Sequence, residues 1–290
     1  MAVPQTTFLG KVKFYLKTVL FSTLLAGCAI YGVFASIILR LIGKGEYAQY
    51  TVARACYYSC RLLMGLKINI KNGHYLRDLP AIVVSNHQSA LDIFVLGQIF
   101  QPGYTVTSKK SLKYVPFLGW FMALSGTFFL DRSKSAAARK VLNSALIQLK
   151  DNGRALFIFP EGTRSGFEEL DMLQFKKGAF HLAREAGIPI IPVVVSNTSP
   201  IFNSKRKIFN TGEINIEVLP PVPTADIETN EEITNLCNGI RDDMIKTLKK
   251  VGFSKTPISE HGENPFASKA GEAADEETIT ETTPLNGSKN

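Results

Sequence analysis

The stretch Ala81-Ile82-Val83-Val84-Ser85-Asn86-His87-Gln88-Ser89-Ala90-Leu91-Asp92 joins an apolar run to a histidine and, five residues on, an aspartate. A short apolar run ending in a polar cluster suits a strand buried on both faces. His87 and Asp92 then lie just past the end of that strand. On a regular helix, positions i and i+5 sit about 140° apart. The two side chains therefore meet only if His87 stands in the turn before a helix and Asp92 in its first turns. A carboxylate behind a histidine holds its tautomer and suits the ring to take a proton. The plainer alternative makes the serine and asparagine helix caps and leaves His87 merely exposed.

The chain on either side of this stretch alternates short apolar runs with helical periods. Strands are expected at Ile68–Ile70, Ala81–Ser85, Tyr104–Thr107, Thr127–Leu130, Ala155–Phe159, Ile190–Ser196 and Ile214–Leu219. Helices are expected over Ala136–Asn152 and Leu173–Ala186, the latter stopped by Gly187 and Pro189. A last helix starts at Thr229 with Glu232 placed for a capping box, and carries the stripe Ile233, Leu236, Cys237, Ile240, Met244 and Leu248. Strands alternating with helices predict an α/β fold, a largely buried sheet flanked by helices.

Two further strand ends carry polar groups. Phe159-Pro160-Glu161-Gly162-Thr163-Arg164-Ser165 closes one apolar run. Gly162 lets backbone approach a ligand, Arg164 offers a planar fork for an oxyanion, and Glu161 suits a hydroxyl. A surface turn with a Glu–Arg ion pair is the competing description. Gly126 to Arg132 delivers Asp131 and Arg132 in the same way, with Asp131 read as a structural ion pair. Lys109 and Lys110 follow another strand, and Lys176-Lys177-Gly178 opens a helix. Taken singly, each lysine reads as a solvated surface charge. Ligands of open α/β sheets bind at strand ends, so the basic groups together suggest an anion site.

At the N-terminus, Thr18 to Leu39 runs 22 residues without a charge, enough to span a bilayer core. It is too long for a signal peptide's apolar region, and no small-x-small cleavage site follows. Glu46 to Leu66 differs: Ala48, Val52, Cys56, Cys60 and Met64 recur every four residues, as in an amphipathic helix. The pair either spans the bilayer or dips into one leaflet. The expected division is membrane-anchoring helices over 1–66, a catalytic body over 67–254 and a disordered acidic tail over 255–290.

The net charge of +8 is unevenly placed. From Thr256 onward there are two basic and seven acidic residues, a net of −5, so residues 1–255 carry +13. A basic body points to an anionic partner. No zinc-finger spacing, basic region with heptads or aromatic RNA-reading signature accompanies it, so nucleic acid is not expected. Cys28, Cys56, Cys60 and Cys237 form no disulfide-like framework and no C-x-x-C pair, which fits a reducing compartment.

The chain lacks the G-x-S-x-G elbow, the phosphate loop of nucleotide hydrolases, the dinucleotide-binding glycine pattern and the H-E-x-x-H zinc motif. What it carries resembles the glycerolipid acyltransferase family, and within it the fungal 1-acyl-sn-glycerol-3-phosphate acyltransferase branch. His87 and Asp92 fit that family's H-x4-D block, Gly126 to Arg132 its second block, Phe159 to Ser165 its F-P-E-G-T-R-S block, and Ile191-Pro192-Val193-Val194 its fourth. The order and spacing agree, and the likeness runs over roughly residues 10–255.

The resemblance implies acyl transfer from acyl-CoA to the sn-2 hydroxyl of lysophosphatidic acid, giving phosphatidic acid and CoA. In that reading His87 is the general base and Asp92 orients it, with no acyl-enzyme. Arg164 binds the acceptor phosphate, Gly162 and Thr163 line the site, and Glu161 fixes the glycerol end. Arg132, Lys109 and Lys110 serve CoA phosphates or the oxyanion. No bound cofactor and no metal are expected, with acyl-CoA as co-substrate. The membrane lipids involved imply the endoplasmic reticulum membrane, and also lipid droplets. Three alternatives stay open: another lysophospholipid or glycerol-3-phosphate as acceptor, a metal-dependent phosphoesterase built on His87, Asp92 and Asp131, and a non-catalytic lipid binder.

Overall fold

In the computed structural model, residues 7–130, 150 and 152–257 are described. The run Ala81–Ser85 is a strand, β2, near the middle of a seven-stranded sheet. Its side chains alternate between two apolar layers. Ala81 and Val83 enter one core, while Ile82 and Val84 enter the other. That two-sided burial is why the run is continuously apolar instead of alternating.

The strands in chain order are β1 (Leu66–Lys71), β2, β3 (Tyr104–Lys109), β4 (Phe128–Leu130), β5 (Ala155–Ile158), β6 (Ile190–Val195), the short β7 (Phe202–Asn203) and β8 (Ile208–Phe209), and β9 (Gly212–Val218). Their order across the large sheet is β1-β9-β6-β2-β5-β3-β4. Every neighbouring pair is parallel except β6 with β9. Val84 pairs with Ile158, so the ends of β2 and β5 lie side by side. Two sequence-distant loops are thereby brought to one edge of the sheet.

The helices are α1 (Phe8–Leu41), α2 (Ala48–Met64), α3 (Asp92–Ile99), α4 (Leu118–Leu124), α5 (Gly178–Ala186) and α6 (Asn230–Val251). Residues of α1, α2 and α3 share the core of one sheet face, and those of α5 and α6 fill the other. The capping box at Thr229 and Glu232 is present, and the stripe from Ile233 to Leu248 faces the sheet. The expected sheet flanked by helices is the architecture found.

Several boundaries differ from expectation for identifiable reasons. The helix expected from Leu173 begins only at Gly178, because Leu173 N donates to Glu161 Oε2 and Lys176 N donates to the Pro160 carbonyl. Those amides are spent on the neighbouring turn instead of on a helix. The β7–β8 hairpin and α4 are additions, too short for a periodic pattern to declare them. The Ala136–Asn152 expectation lies outside the described residues except at Lys150 and Asn152, and so does the acidic tail beyond 257.

The N-terminal helices are bound into the body. By length and composition α1 is apolar and long enough to cross a membrane. Yet Phe14 stacks on Phe202 with ring centroids 6.0 Å apart, and Phe21 meets Phe209 edge-on at 5.9 Å. Further along, Gly32 is pressed against Val52 of α2 and Phe121 of α4. From Phe14 to Gly32 the helix rises about 27 Å, all of it alongside the body. Its opposite side leaves Leu16, Val19, Phe34 and Ile38 exposed. Residue 66, the expected boundary of the anchoring segment, therefore marks no gap in packing.

Helix α2 in turn fixes α3. Its Arg54 donates to the carbonyls of Gly97, Gln98 and Phe100 at 3.2–3.3 Å, satisfying acceptors that the end of α3 leaves open. Gly97 lies so close to α2 that a Cβ there would sit 2.7 Å from the Ala53 carbonyl oxygen and 2.8 Å from Tyr57 Cβ. Alanine is the better helix former by about 1 kcal/mol. Gly97→Ala should nonetheless destabilise the protein by about 1–3 kcal/mol, because overpacking wins. A raised melting temperature for this variant in thermal unfolding would contradict the close α2–α3 contact.

Candidate active site

The β2 strand ends at Ser85, and the chain turns through Asn86 to Leu91 before α3 begins at Asp92. His87 thus lies in the turn and Asp92 in the first turn of a helix, as their spacing required. His87 Nδ1 is 2.6 Å from Asp92 Oδ2. The same oxygen accepts from Gln88 N at 2.8 Å and Ser89 N at 3.1 Å. An ionised carboxylate only accepts, so the contact calls for the proton on His87 Nδ1, and in the neutral ring that leaves the lone pair on Nε2. The His87 side chain keeps 15% of its surface exposed against 6% for Asp92. The histidine is reachable while its partner is sealed behind it.

The second loop leaves β5 as Phe159-Pro160-Glu161-Gly162. Phe159 stacks under the His87 ring with centroids 4.0 Å apart and planes 15° from parallel. Glu161 is buried. One of its oxygens accepts from His87 N at 2.6 Å, and the other from Leu173 N at 2.9 Å. Burial pushes its carboxyl above the ordinary glutamate range, and these two amide bonds oppose the rise. The expected contact between Glu161 and the glycerol end needs correction. Each oxygen is engaged by a backbone amide, so Glu161 ties the His87 turn to the Leu173 segment.

The other expected residues divide by exposure. Gly162 adopts φ +72°, and a Cβ there would meet Lys176 Nζ at 2.9 Å. Its missing side chain leaves room for an ammonium group against the turn. Thr163 and Arg164 are exposed, which leaves the guanidinium available to an anion. The backbone amides of Ser165 and Gly166 donate to the carbonyls of His87 and Gln88 at 2.9 and 3.2 Å, so this turn and the histidine turn are stitched together. Lys109 and Lys110 are exposed at the end of β3, two strands from β2, or roughly 10 Å by strand spacing. Arg132 and Asp131 lie outside the described residues. Among the described residues, no three His, Cys, Asp or Glu side chains gather as a metal site.

Sequence reasoning missed three contributors, and named a fourth, Lys176, only among the basic groups of a candidate anion site. The Asn86 amide bridges to Val195, donating to its carbonyl and accepting from its N–H, both at 2.9 Å. Gln88 donates to the Val195 and Ser196 carbonyls and accepts from Thr198 N. These side chains lock the histidine turn onto the end of β6. Phe159 and Lys176 complete the set. Only their place inside or beside recognisable blocks marked them.

Comparison with known proteins places the chain in a family. The Acyltransferase family profile matches residues 67–196. The 1-acyl-sn-glycerol-3-phosphate acyltransferase of Saccharomyces cerevisiae is 52% identical over 246 residues, which is 85% of this chain and 81% of that protein. The chain belongs to the acyltransferase family. Human 1-acyl-sn-glycerol-3-phosphate acyltransferase beta is 31% identical over 247 residues, covering 84% of this acyltransferase and 86% of the human protein. The crystal structure of the 1-acyl-sn-glycerophosphate acyltransferase PlsC from Thermotoga maritima shares the fold, with a TM-score of 0.61 at 24% identity over 83% of this chain and 95% of that one.

In this acyltransferase, Glu161→Gln separates positioning from substrate contact. One buried amide loses its charged acceptor, a loss of about 1.5–3 kcal/mol. That should lower kcat about 10- to 100-fold with acceptor KM nearly unchanged. A rise in acceptor KM at unchanged kcat would restore the direct-contact role. The raised carboxyl of Glu161 also sets a sign for stability. The folded state holds this proton more tightly than the unfolded chain. Stability relative to Glu161→Gln therefore falls as pH rises from the ordinary glutamate value to the raised one. Parallel melting curves across the acid range would oppose this.

Proposed function

We propose that this acyltransferase transfers an acyl group from acyl-CoA to the sn-2 hydroxyl of lysophosphatidic acid, forming phosphatidic acid and CoA. The observation that carries the proposal is the 2.6 Å contact between His87 Nδ1 and Asp92, which leaves Nε2 to receive a proton. A secondary alcohol is a poor nucleophile at neutral pH and needs a base as it attacks. In the proposed step the acceptor oxygen bonds to the thioester carbonyl carbon while its proton passes to Nε2. The C–S bond then breaks, the electron pair leaves on the CoA thiolate, and the imidazolium proton returns to that sulfur. Asp92 steadies the imidazolium between the two events. No acyl-enzyme forms, because the acceptor attacks directly.

The remaining roles rest on charge and on the family resemblance. Arg164 is assigned the acceptor phosphate, with Lys176 beside Gly162 adding a second cation. Thr163 lines the same turn. Lys109, Lys110 and Arg132 are assigned to CoA phosphates or the oxyanion. The names of the yeast and human relatives support lysophosphatidic acid as the acceptor.

The attitude of α1 favours a helix pair seated in one leaflet. A helix flanked by the body for about 27 Å has one free face, not a free cylinder. We assign the protein to the endoplasmic reticulum membrane and to lipid droplets, which fractionation of tagged full-length protein will test.

The activity test uses labelled lysophosphatidic acid and oleoyl-CoA. His87→Ala should lose about 10²- to 10⁴-fold in rate, the usual worth of a positioned base. Undiminished turnover in that variant would exclude the mechanism. Arg164→Lys should raise acceptor KM roughly ten-fold through loss of a bidentate contact, with the acyl-CoA KM little changed. Equal shifts for both substrates would remove Arg164 from the phosphate.

A further inference from the structure

Between β3 and β4 the chain runs Lys109-Lys110-Ser111-Leu112-Lys113-Tyr114-Val115-Pro116-Phe117-Leu118-Gly119-Trp120, through a 3-10 turn over Lys110–Tyr114 and into α4. Its large side chains face outward: Tyr114 is 75% exposed, Trp120 52% and Phe117 44%. Lys109, Lys110 and Lys113 are exposed among them. Ordinary soluble surface rarely gathers three aromatic rings that no described residue covers.

The segment is also built to hold this display. A Cβ on Gly119 would lie 2.1 Å from the Lys113 carbonyl oxygen, so only glycine permits the fold-back. Gly119 N donates to Val115 O at 2.7 Å. Phe117 sits at φ +58°, a backbone conformation that a bulky side chain rarely adopts, and its ring meets Trp120 edge-on at 5.1 Å. A strained residue kept with its ring in solvent does not serve the fold's own stability.

We infer that Ser111–Trp120 is a second membrane-contact site that docks on the surface of an anionic bilayer; this rests on the lipid-acyl transfer proposed above. Three observations choose that occupant. Tyr114 and Trp120 at an apolar–polar boundary with Lys113 extending to headgroups are the composition of a bilayer interface. A protein interface core is depleted in lysine, which disfavours a protein partner. The segment also adjoins the lipid-facing helix, since α4 packs on α1 where Phe121 meets Gly32, and Tyr31, Phe34 and Ile38 of α1 are exposed nearby.

The location has a consequence for the reaction. Strand β3 runs parallel to β5, and β5 to β2, so the segment leaves the sheet at the edge that carries His87. Docking there turns the mouth of the site toward the lipid, and an acceptor would reach His87 without leaving the bilayer.

Trp120 is the single tryptophan of the chain, so intrinsic emission of the full-length protein reports this segment alone. The protein is reconstituted in phosphatidylcholine–phosphatidylserine vesicles whose chains are brominated near the headgroup or near the methyl end. Docking predicts blue-shifted emission, strong quenching by the shallow bromines, weaker quenching by the deep ones, and protection from aqueous iodide. Lys113→Gln should weaken docking about five-fold on these vesicles, the equivalent of one lysine at an anionic surface, and not on pure phosphatidylcholine. Emission quenched by iodide and indifferent to brominated lipid would overturn the inference and return the patch to a protein partner. Acyl transfer assayed in the same vesicles separates the two ideas. Turnover without lipid quenching sinks the docking site alone, and quenching without turnover sinks the reaction while leaving the docking site.

Discussion

One carboxylate oxygen organises the site. Asp92 Oδ2 accepts from the His87 ring and from the backbone amides of Gln88 and Ser89. Without that oxygen the turn loses the acceptor that closes it, and the imidazole loses the partner that sets its tautomer. The helix start helps, because Asp92 stands in the first turn of α3, where a negative charge is favoured. Glu161 repeats the device from the neighbouring strand by accepting from the His87 backbone amide. Two buried acids thus grip one histidine residue, one through its ring and one through its main chain. The turn from β2 into α3 brings Asp92 to it, and parallel pairing of β2 with β5 brings Glu161.

Much of this could be read from residue order because the signals were local. The apolar run from Ala81 marked a doubly buried strand, and the five-residue spacing to Asp92 allowed only one geometry in which the pair meets. The Thr229–Glu232 capping box and the stripe behind it were equally plain. What escaped depended on partners far along the chain. The antiparallel seating of β9 on β6 leaves no trace in either strand's composition. The late start of α5 reflects amides drawn to Glu161 and Pro160, more than ten residues upstream. Glu161 itself looked like a substrate ligand because a charged residue in a turn is usually exposed, and only packing shows it buried. The amide bridges of Asn86 and Gln88 to β6 span over a hundred residues and were silent in the sequence for the same reason.

At the N-terminal end, composition and packing specify different things. Charge-free length marked α1 as a helix for lipid, and it does not say how the helix sits. Packing supplies that: Phe14, Phe21 and Gly32 meet the body along one line, and the apolar residues opposite are left bare. The same body carries the acid-gripped histidine on the sheet edge from which the β3–β4 segment departs. The apolar helix and the candidate site then belong to one packed unit, which suits the proposed acyl transfer between lipids.

By holding the proton on Nδ1, Asp92 is expected to leave the neutral His87 ring with a bare Nε2. Nitrogen NMR of protein labelled at its four histidines, with His87→Asn to assign the signal, reads this tautomer directly. The account predicts a neutral His87 protonated at Nδ1, with Nε2 resonating as an unprotonated nitrogen. A neutral ring carrying its proton on Nε2 would contradict it, since that ring has no lone pair where the acceptor's proton must go.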